Sequence, residues 1–183
     1  MSDAQNTLER RRRVHLSPRL CTVVSYLTDL SVELGGAVFK NPVMPASGTY
    51  DYFENNADCF PVSELGAVMI KSVHRLQRPG NPGPRIAEVC GGMLNCVGIP
   101  SVGIEAFLRD ELPRYENIGT QVILSISGSE PVHYAEIAEL VGDDPRIAAL
   151  EMNLSCPNVG SGLPFSSDPQ LLYHTVRQTR QRT

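Results

Sequence analysis

The chain has 183 residues, of which 42% are hydrophobic and 20% are charged, a composition typical of one soluble globular domain or part of one. Sixteen Lys and Arg against 20 Asp and Glu give a formal net charge of -4, so we expect no nucleic-acid partner. No apolar run approaches the roughly 18 residues that a membrane helix needs. The amino end lacks the apolar core of a secretory signal, and we therefore predict a cytoplasmic protein with no membrane association.

The first 29 residues differ from the rest of the chain and are predicted to be a poorly ordered extension that contains the basic run Arg10 to Arg13. The domain is predicted to occupy residues 30–183. Its first element is an antiparallel hairpin in SVELGGAVFKNP, where apolar positions alternate around Gly35 and Gly36.

Compact apolar runs then predict parallel strands at residues 43–47, 67–70, 122–126 and 148–152. Two segments place apolar residues at helical spacing, and a third helix is predicted to begin where Asp168 is followed by proline. The first two segments are residues 102–112 and 132–141. Both a doubly wound sheet and a (β/α)8 barrel begin in this way, and a closed barrel takes ~200 to 250 residues or more. The predicted fold class is therefore α/β, with too few residues to close a barrel.

The cysteines and histidines show no metal-binding pattern. Five cysteines are scattered without a C-x-x-C pair, which argues against a disulfide framework and a zinc site and predicts free thiols. The histidines also lack ligand spacing and triad partners, so each is predicted to be a surface or capping residue. They are His15, His74, His133 and His174.

The densest group of chemically capable residues is Asn153-Leu-Ser-Cys-Pro-Asn158, directly after the fourth predicted strand. Both α/β architectures place their active sites at the carboxyl ends of strands. Amide side chains donate and accept hydrogen bonds at once, which suits a planar ligand with alternating carbonyl and N–H groups. A cysteine thiolate is a competent base or nucleophile. The alternative is that Cys156 is a buried structural residue beside a turn.

Three other positions could contact a ligand. Lys71, one of only two lysines, ends an apolar run, where a lysine is costly to desolvate unless it meets an anion or snorkels to solvent. The glycine-punctuated loop at 91–100 contains one amide, Asn95, and the small residues at 45–49 permit close approach of a flat cofactor. Either segment could equally be a simple connection. No G-x-G-x-x-G or Walker A sequence occurs, so a Rossmann NAD site is unsupported.

Four segments, taken in order, resemble the catalytic subunits of the dihydroorotate dehydrogenase family. They are NPVMPASGTY (41–50), LGAVMIKS (65–72), GNPGPRIAEVCGGMLNCVGIPSVG (80–103) and LEMNLSCPNV (150–159). The GNPxPR and GMLNxxG patterns are more similar to the NAD-linked class 1B enzymes than to class 1A or class 2. The resemblance covers about Leu30 to Thr179 and implies the first half of a flavin-bearing (β/α)8 TIM barrel, with about four βα units after the hairpin.

The resemblance also implies roles for individual residues. Cys156 would remove the C5 proton of dihydroorotate while hydride passes from C6 to N5 of FMN. The substrate-binding residues would be Lys71, Asn95, Cys96, Val97, Gly98, Ile99, Asn153 and Asn158. The FMN-binding residues would be Ala46, Ser47, Lys71, Ser72, Ser125 and Asn153. A class 1B-like enzyme would have an FAD and iron–sulfur electron-transfer subunit as a partner and would form an oligomer at full length.

Two departures from the family pattern affect these expectations. Ser125 stands where the family usually has an FMN-contacting Asn, and residues 160–166 differ from the usual loop that closes over substrate. The resemblance places the FMN phosphate site in a second half that this chain lacks. We therefore expect the chain alone to be inactive, or nearly so, in the family's oxidation of dihydroorotate to orotate for pyrimidine biosynthesis.

Three alternatives stay open at this point. The first is a dihydropyrimidine dehydrogenase-like domain that acts on uracil or thymine. The second is a non-catalytic fragment or split-gene product that needs a second chain. The third is a doubly wound binding domain without a flavin, which would be expected to fold stably as a monomer.

Overall fold

The structure is a computed structural model and describes residues 28–50, 60–155 and 165–183. Its strands are β1 (Val32–Leu34), β2 (Ala37–Phe39), β3 (Ala67–His74), β4 (Ile86–Val89), β5 (Gly92–Asn95), β6 (Gln121–Ser127) and β7 (Ala149–Met152). Its helices are α1 (Ile104–Ala106), α2 (Pro131–Val141) and α3 (Pro169–Arg180). Helix α1 continues into a π-helical turn (Phe107–Glu111) and a 3-10 turn (Leu112–Tyr115), and further 3-10 turns lie at Val62–Glu64 and Phe165–Ser167.

Strands β3, β6 and β7 form a parallel sheet in that order. They confirm three of the predicted strands, but the strand predicted at residues 43–47 is wrong. That segment is irregular chain, tied to the sheet where Gly66 N donates to Val43 O at 2.9 Å. Pro42 and Pro45 lack the N–H groups that a strand would need there. Within the described residues the sheet is open at β3 and β7, and no closed barrel is formed.

The described helices cover one face of this sheet, which we call the helix face. Val68, Leu124 and Ile126 lie on it and belong to one buried cluster with residues of α1, α2 and α3 and their adjoining turns. A doubly wound sheet carries helices on both faces, whereas a barrel carries them only outside. The arrangement therefore favours the barrel architecture over the doubly wound alternative. Within the described ranges, no helix is both long enough and apolar enough to cross a bilayer.

The opposite face, called the inner face, is covered at its amino end by the β1–β2 hairpin. The hairpin confirms the prediction made from Gly35 and Gly36. Phe39 is 2% exposed and packs with Ala67, Met69 and Ile123. Lys40 Nζ donates to the carbonyl of Ser63, in the 3-10 turn before β3, and to that of Gly119, just before β6. These contacts close the amino end of the inner face.

A second antiparallel hairpin, β4–β5, lies where the sequence predicted only a glycine-punctuated loop. Gly92–Asn95 pairs with Ile86–Val89 around a turn in which Gly91 has a φ of 77°. Every side chain of the two strands is exposed. The prediction missed β5 because its apolar residues do not alternate between a buried and a solvated face.

The helical predictions are confirmed in part. Helix α2 occupies the predicted segment almost residue for residue, and α3 begins where Asp168 Oδ1 accepts hydrogen bonds from Gln170 N and Leu171 N. The helix predicted at 102–112 begins two residues later. Gly103 has a φ of 86°, outside the helical region, so helical geometry starts only at Ile104.

His74, predicted as a surface or capping residue, is instead 6% exposed at the end of β3. Burial, followed by the nearby charges of Arg78 and His133, lowers the pKa of the His74 imidazole from 6.5 to about 4. Among the described residues, none hydrogen bonds its Nε2. The ring is therefore buried in its neutral form at pH 7.

This burial predicts an acid-sensitive stability. Between the unfolded pKa of 6.5 and the folded pKa of about 4, the unfolded chain binds a proton that the folded chain does not. The free energy of unfolding should fall by roughly 3 kcal/mol from pH 7 to pH 4 through His74 alone. Urea denaturation at both pH values should show a smaller decrease in His74→Gln than in the unmodified chain. Equal decreases in the free energy of unfolding for the two proteins would show that His74 is not the source of the acid sensitivity.

Candidate functional site

A β-bulge in β3 places two adjacent polar residues on the inner face. The register shifts between Ile70 and Val73, and both of these residues pack into the helix-face core. Strict alternation would return Ser72 to the helix face, but the extra residue leaves Lys71 and Ser72 together opposite Ser125. Bulges of this kind commonly re-aim side chains at sites.

Ser72 links the three parallel strands through hydrogen bonds. Its Oγ lies 2.9 Å from Ser125 Oγ on β6 and accepts from Asn153 Nδ2, just after β7, at 3.1 Å. Ser72 and Ser125 are buried, whereas Asn153 is half-buried. Three residues predicted from separate segments of the sequence therefore form one polar cluster, and a ligand on the inner face would reach Asn153 most directly.

Lys71 lies beside the turn at residues 46–49. Thr49 N and Oγ1 both bond Ala46 O, and Gly48 has a φ of 74°. A Cβ added at Gly48 would lie 3.3 Å from Lys71 Nζ, so the turn and the lysine are in close contact. Lys71 is exposed, as in the alternative in which the side chain snorkels to solvent.

The predicted substrate loop, residues 95–99, is held by the segment at 78–85. Asn81 is its central support: Asn81 N donates to Val97 O at 3.0 Å, and Asn81 Nδ2 contacts Cys96 O and Sγ. Gly98 has a φ of 77°, and a Cβ there would lie 2.7 Å from Asn81 N. Ile99 has a φ of 47°, rare for a β-branched residue. The loop has a fixed and locally strained backbone.

Two arginines complete this support, and sequence reasoning did not select them. Arg78 Nε donates to Gly98 O at 2.7 Å, and the backbones of Arg78 and Ser101 exchange two hydrogen bonds of 2.8 Å. Arg85 donates to Asn81 O and to Pro79 O. The GNPGPR segment was recognised as a family motif, but only the structure shows that it carries the loop.

The loop is also joined to the sheet. His74 N, at the end of β3, donates to Ser101 Oγ at 3.0 Å. The structure thus brings Lys71, Ser72, Ser125 and Asn153 to the carboxyl end of the sheet, and it forms the loop at 95–99 as a second unit connected there. Asn95 belongs to the second unit, because it lies in β5, which pairs with β4.

Other predicted residues stand as follows. Cys90 and Cys96 are exposed free thiols, as predicted for them. Cys156 and Asn158 lie outside the described residues, as do Cys21, Cys59 and the segment at 160–164. Ala46 and Ser47 lie in the turn beside Lys71.

Comparison with known proteins decides the family. The model of the dihydroorotate dehydrogenase family matches residues 29–183. The chain belongs to the dihydroorotate dehydrogenase family. Family membership agrees with the helix-covered parallel sheet and with the motifs that meet at its carboxyl end.

The similar curated proteins are catalytic subunits of dihydroorotate dehydrogenase B (NAD(+)). The subunit of Geotalea uraniireducens is 42% identical over 156 residues, which are 85% of this chain and 51% of the relative. The subunit of Geobacter sulfurreducens gives the same values, and that of Geobacillus kaustophilus is 42% identical over 153 residues, 83% of this chain and 49% of the relative. The chain therefore spans about half the length of these dihydroorotate dehydrogenases.

The fold also matches a solved dihydroorotate dehydrogenase. A ligand-free DHODH from Eimeria tenella superposes with a TM-score of 0.60 at 22% identity, covering 84% of this chain and 45% of that one. At this identity the similarity is one of fold. It confirms that the described α/β architecture is the one found in part of a dihydroorotate dehydrogenase.

A pair of glycine substitutions tests whether contact with Asn81 fixes this dihydroorotate dehydrogenase loop. Gly98 and Gly91 share a φ of 77°, but a Cβ at Gly91 meets nothing within 4 Å. Both alanine variants incur the backbone strain, and only Gly98→Ala adds the clash. We expect Gly98→Ala to lower the free energy of unfolding by about 2 kcal/mol more than Gly91→Ala, as measured by urea denaturation. Equal losses would show that the contact is not rigid.

Proposed function

We propose that this chain takes part in the FMN-dependent oxidation of dihydroorotate to orotate in pyrimidine biosynthesis. The observation that carries the proposal is the cluster of Lys71, Ser72 and Asn153 at the carboxyl end of a parallel sheet, in a chain of this family. Ligand sites of such sheets lie at that end. The chemistry of the cluster, rather than the fold alone, indicates the substrate.

Dihydroorotate offers the groups that these residues would recognise. Its ring carries alternating carbonyl and N–H groups, which pair with the amides of Asn95, Asn153 and Asn158. Its carboxylate would meet the exposed Lys71 ammonium, a compact charge on a flexible stem that can follow a ligand. The backbone of Cys96, Val97, Gly98 and Ile99, held by Asn81 and Arg78, would form the fixed wall of the substrate site.

The residues present also fit one edge of an isoalloxazine ring. Lys71 and Asn153 supply hydrogen-bond donors, and the turn containing Ala46 and Ser47 lies next to Lys71 with a glycine that allows close approach. Ser125 is fully buried, so we propose that it acts by holding Ser72. When bound, FMN would accept on N5 the hydride that leaves C6 of the substrate. The protein's task is to orient the ring and the substrate.

Cys156 is proposed as the base. Its thiolate would take the proton from C5, the electron pair of that C–H bond would form the C5–C6 double bond, and the hydride would leave from C6. Substrate thus loses one proton and one hydride, which balances its oxidation to orotate. Asn153, three residues before the cysteine, would hold the ring in place during this step.

The chain is proposed to need two further components. One is a second half-barrel like that of its relatives, which would bring the FMN phosphate site. The other is an FAD and iron–sulfur electron-transfer subunit, since the similar catalytic subunits are named as NAD(+) enzymes. We propose that the complete enzyme is an oligomer.

Activity measurements on reconstituted protein test the function. The 183-residue chain with added FMN should show no dihydroorotate oxidation with a dye acceptor. Co-expression with the carboxyl-terminal half of the Geotalea uraniireducens subunit should give a yellow protein that reduces the dye with dihydroorotate. Oxidation by the chain alone would refute its dependence on a second half.

The same preparation distinguishes the alternatives. Activity with dihydrouracil or dihydrothymine but not with dihydroorotate would favour the dihydropyrimidine dehydrogenase-like reading. A yellow, monodisperse complex that oxidises none of these substrates would favour a non-catalytic fragment.

Replacement of the proposed base is a separate test. In the co-expressed enzyme, Cys156→Ala should lower turnover by about 100-fold or more while the flavin content stays constant, since a positioned base contributes 10²–10⁴-fold. Cys90→Ala is the matched control, because it removes an exposed thiol at the tip of the β4–β5 hairpin. Undiminished turnover in Cys156→Ala would exclude the thiol as the base.

A further inference from the structure

Tyr134 is a fully buried tyrosine on α2 whose hydroxyl points at the strand end that carries Asn153. Its OH donates to Asn153 O at 2.8 Å and lies 3.3 Å from Gly128 O. A hydroxyl has a single hydrogen, so the shorter contact is the stronger bond. Leaving this buried hydroxyl without a hydrogen-bond partner would lower the free energy of unfolding. The residue is therefore locked in one orientation.

The surrounding residues make room for this ring. A Cβ at Gly128 would lie 2.7 Å from His133 Cβ and 3.1 Å from Tyr134 Cε2, so glycine is required at the end of β6. The ring of Phe165 packs edge-on against the Tyr134 ring, with centroids 5.6 Å apart and planes at 72°. Aromatic packing thus acts on the ring of this side chain, and the hydrogen bond acts on its hydroxyl.

The two contacts fall on either side of the segment that carries Cys156. Asn153 precedes this segment and Phe165 follows it. The two ends are also joined directly, since Ser166 N donates to Leu154 O at 3.1 Å. One side chain of α2 therefore fixes both ends of the chain around the proposed base.

We propose that Tyr134 is a positioning residue for Asn153, and through it for the substrate-facing end of β7. Asn153 N donates to Ile126 O at 2.9 Å and its Nδ2 donates to Ser72 Oγ, so the Tyr134 bond adds a third constraint on the carbonyl. These three hydrogen bonds, two to the backbone and one to the side chain of Asn153, restrict the conformational freedom of this residue. The hydrogen bond and its effect on Asn153 do not depend on the proposed function. Only the identity of the ligand that Asn153 binds rests on it.

The test removes the hydroxyl and keeps the ring. Tyr134→Phe retains the packing against Phe165, and Tyr173→Phe, at an exposed position on α3, is the matched control. In the enzyme co-expressed with the second half, Tyr134→Phe should raise the KM for dihydroorotate about fivefold with kcat changed less than twofold. In an Asn153→Ala background the same change should have no further effect on KM.

A readout independent of activity accompanies the kinetics. In the 183-residue chain, amide hydrogen exchange at Asn153 should accelerate about tenfold in Tyr134→Phe, while exchange at Ile123 in the middle of β6 stays constant. Tyr173→Phe should change neither. If the co-expressed enzyme oxidises no dihydroorotate, the proposed function fails, and exchange at Asn153 alone decides whether Tyr134 positions it.

Two results would overturn the inference. An unchanged KM in active Tyr134→Phe enzyme would show that the hydroxyl has only a structural role, even if the melting temperature fell. Unchanged exchange at Asn153 would show that the hydrogen bond does not constrain the strand end.

Discussion

The bulge in β3 between Ile70 and Val73 is the constraint on which the site depends. Both apolar residues are needed on the helix face, where they complete the core with α1 and α2. Two residues separate them, one more than strict alternation allows, so both intervening side chains lie on the inner face. Core packing on one face thereby places Lys71 and Ser72 side by side on the other. The proposed ligand contact at Lys71 and the link between strands at Ser72 therefore depend on the same local irregularity.

The loop at 95–99 owes its shape to a different cause. It is held by hydrogen bonds from Asn81 and Arg78, and Asn81 approaches Gly98 so closely that no side chain fits between them. Such close approach demands glycine at this position. The site therefore combines two independent pieces, a sheet end ordered by packing and a loop ordered by hydrogen bonds. The bond from His74 N to Ser101 Oγ joins them.

Sequence patterns predicted an element correctly where the residue type at a position directly determines the local backbone conformation. Gly35 and Gly36 indicated a hairpin, and Asp168 before a proline indicated a helix start; both are confirmed. Patterns failed where burial depends on distant residues. His74 is buried by residues distant in sequence, and the fully exposed β4–β5 hairpin has no buried face to reveal its period. Family motifs identified the cluster residues, but no local pattern indicates that Ser72, Ser125 and Asn153 bond one another.

Tyr134 illustrates the same limit within the site. A tyrosine at an apolar position of an amphipathic helix reads as core, and its ring is indeed core. Only the three-dimensional arrangement shows that its hydroxyl meets the carbonyl of Asn153. The polar end of a mostly apolar residue carries no periodic signal in sequence. Supporting residues of this kind are therefore found by following hydrogen bonds outward from the residues that the motifs identify.

The cations around the site divide into two roles that follow from their chemistry. Arg78 and Arg85 donate to backbone carbonyls of the chain, where the planar guanidinium holds fixed geometry. Lys71 is exposed, and its ammonium is a mobile point charge. A guanidinium already committed to carbonyls cannot turn toward a ligand without releasing the loop. A hydrated ammonium can exchange water for a carboxylate without disturbing the fold, so Lys71 is the cation that we propose for binding, whereas the arginines hold the loop.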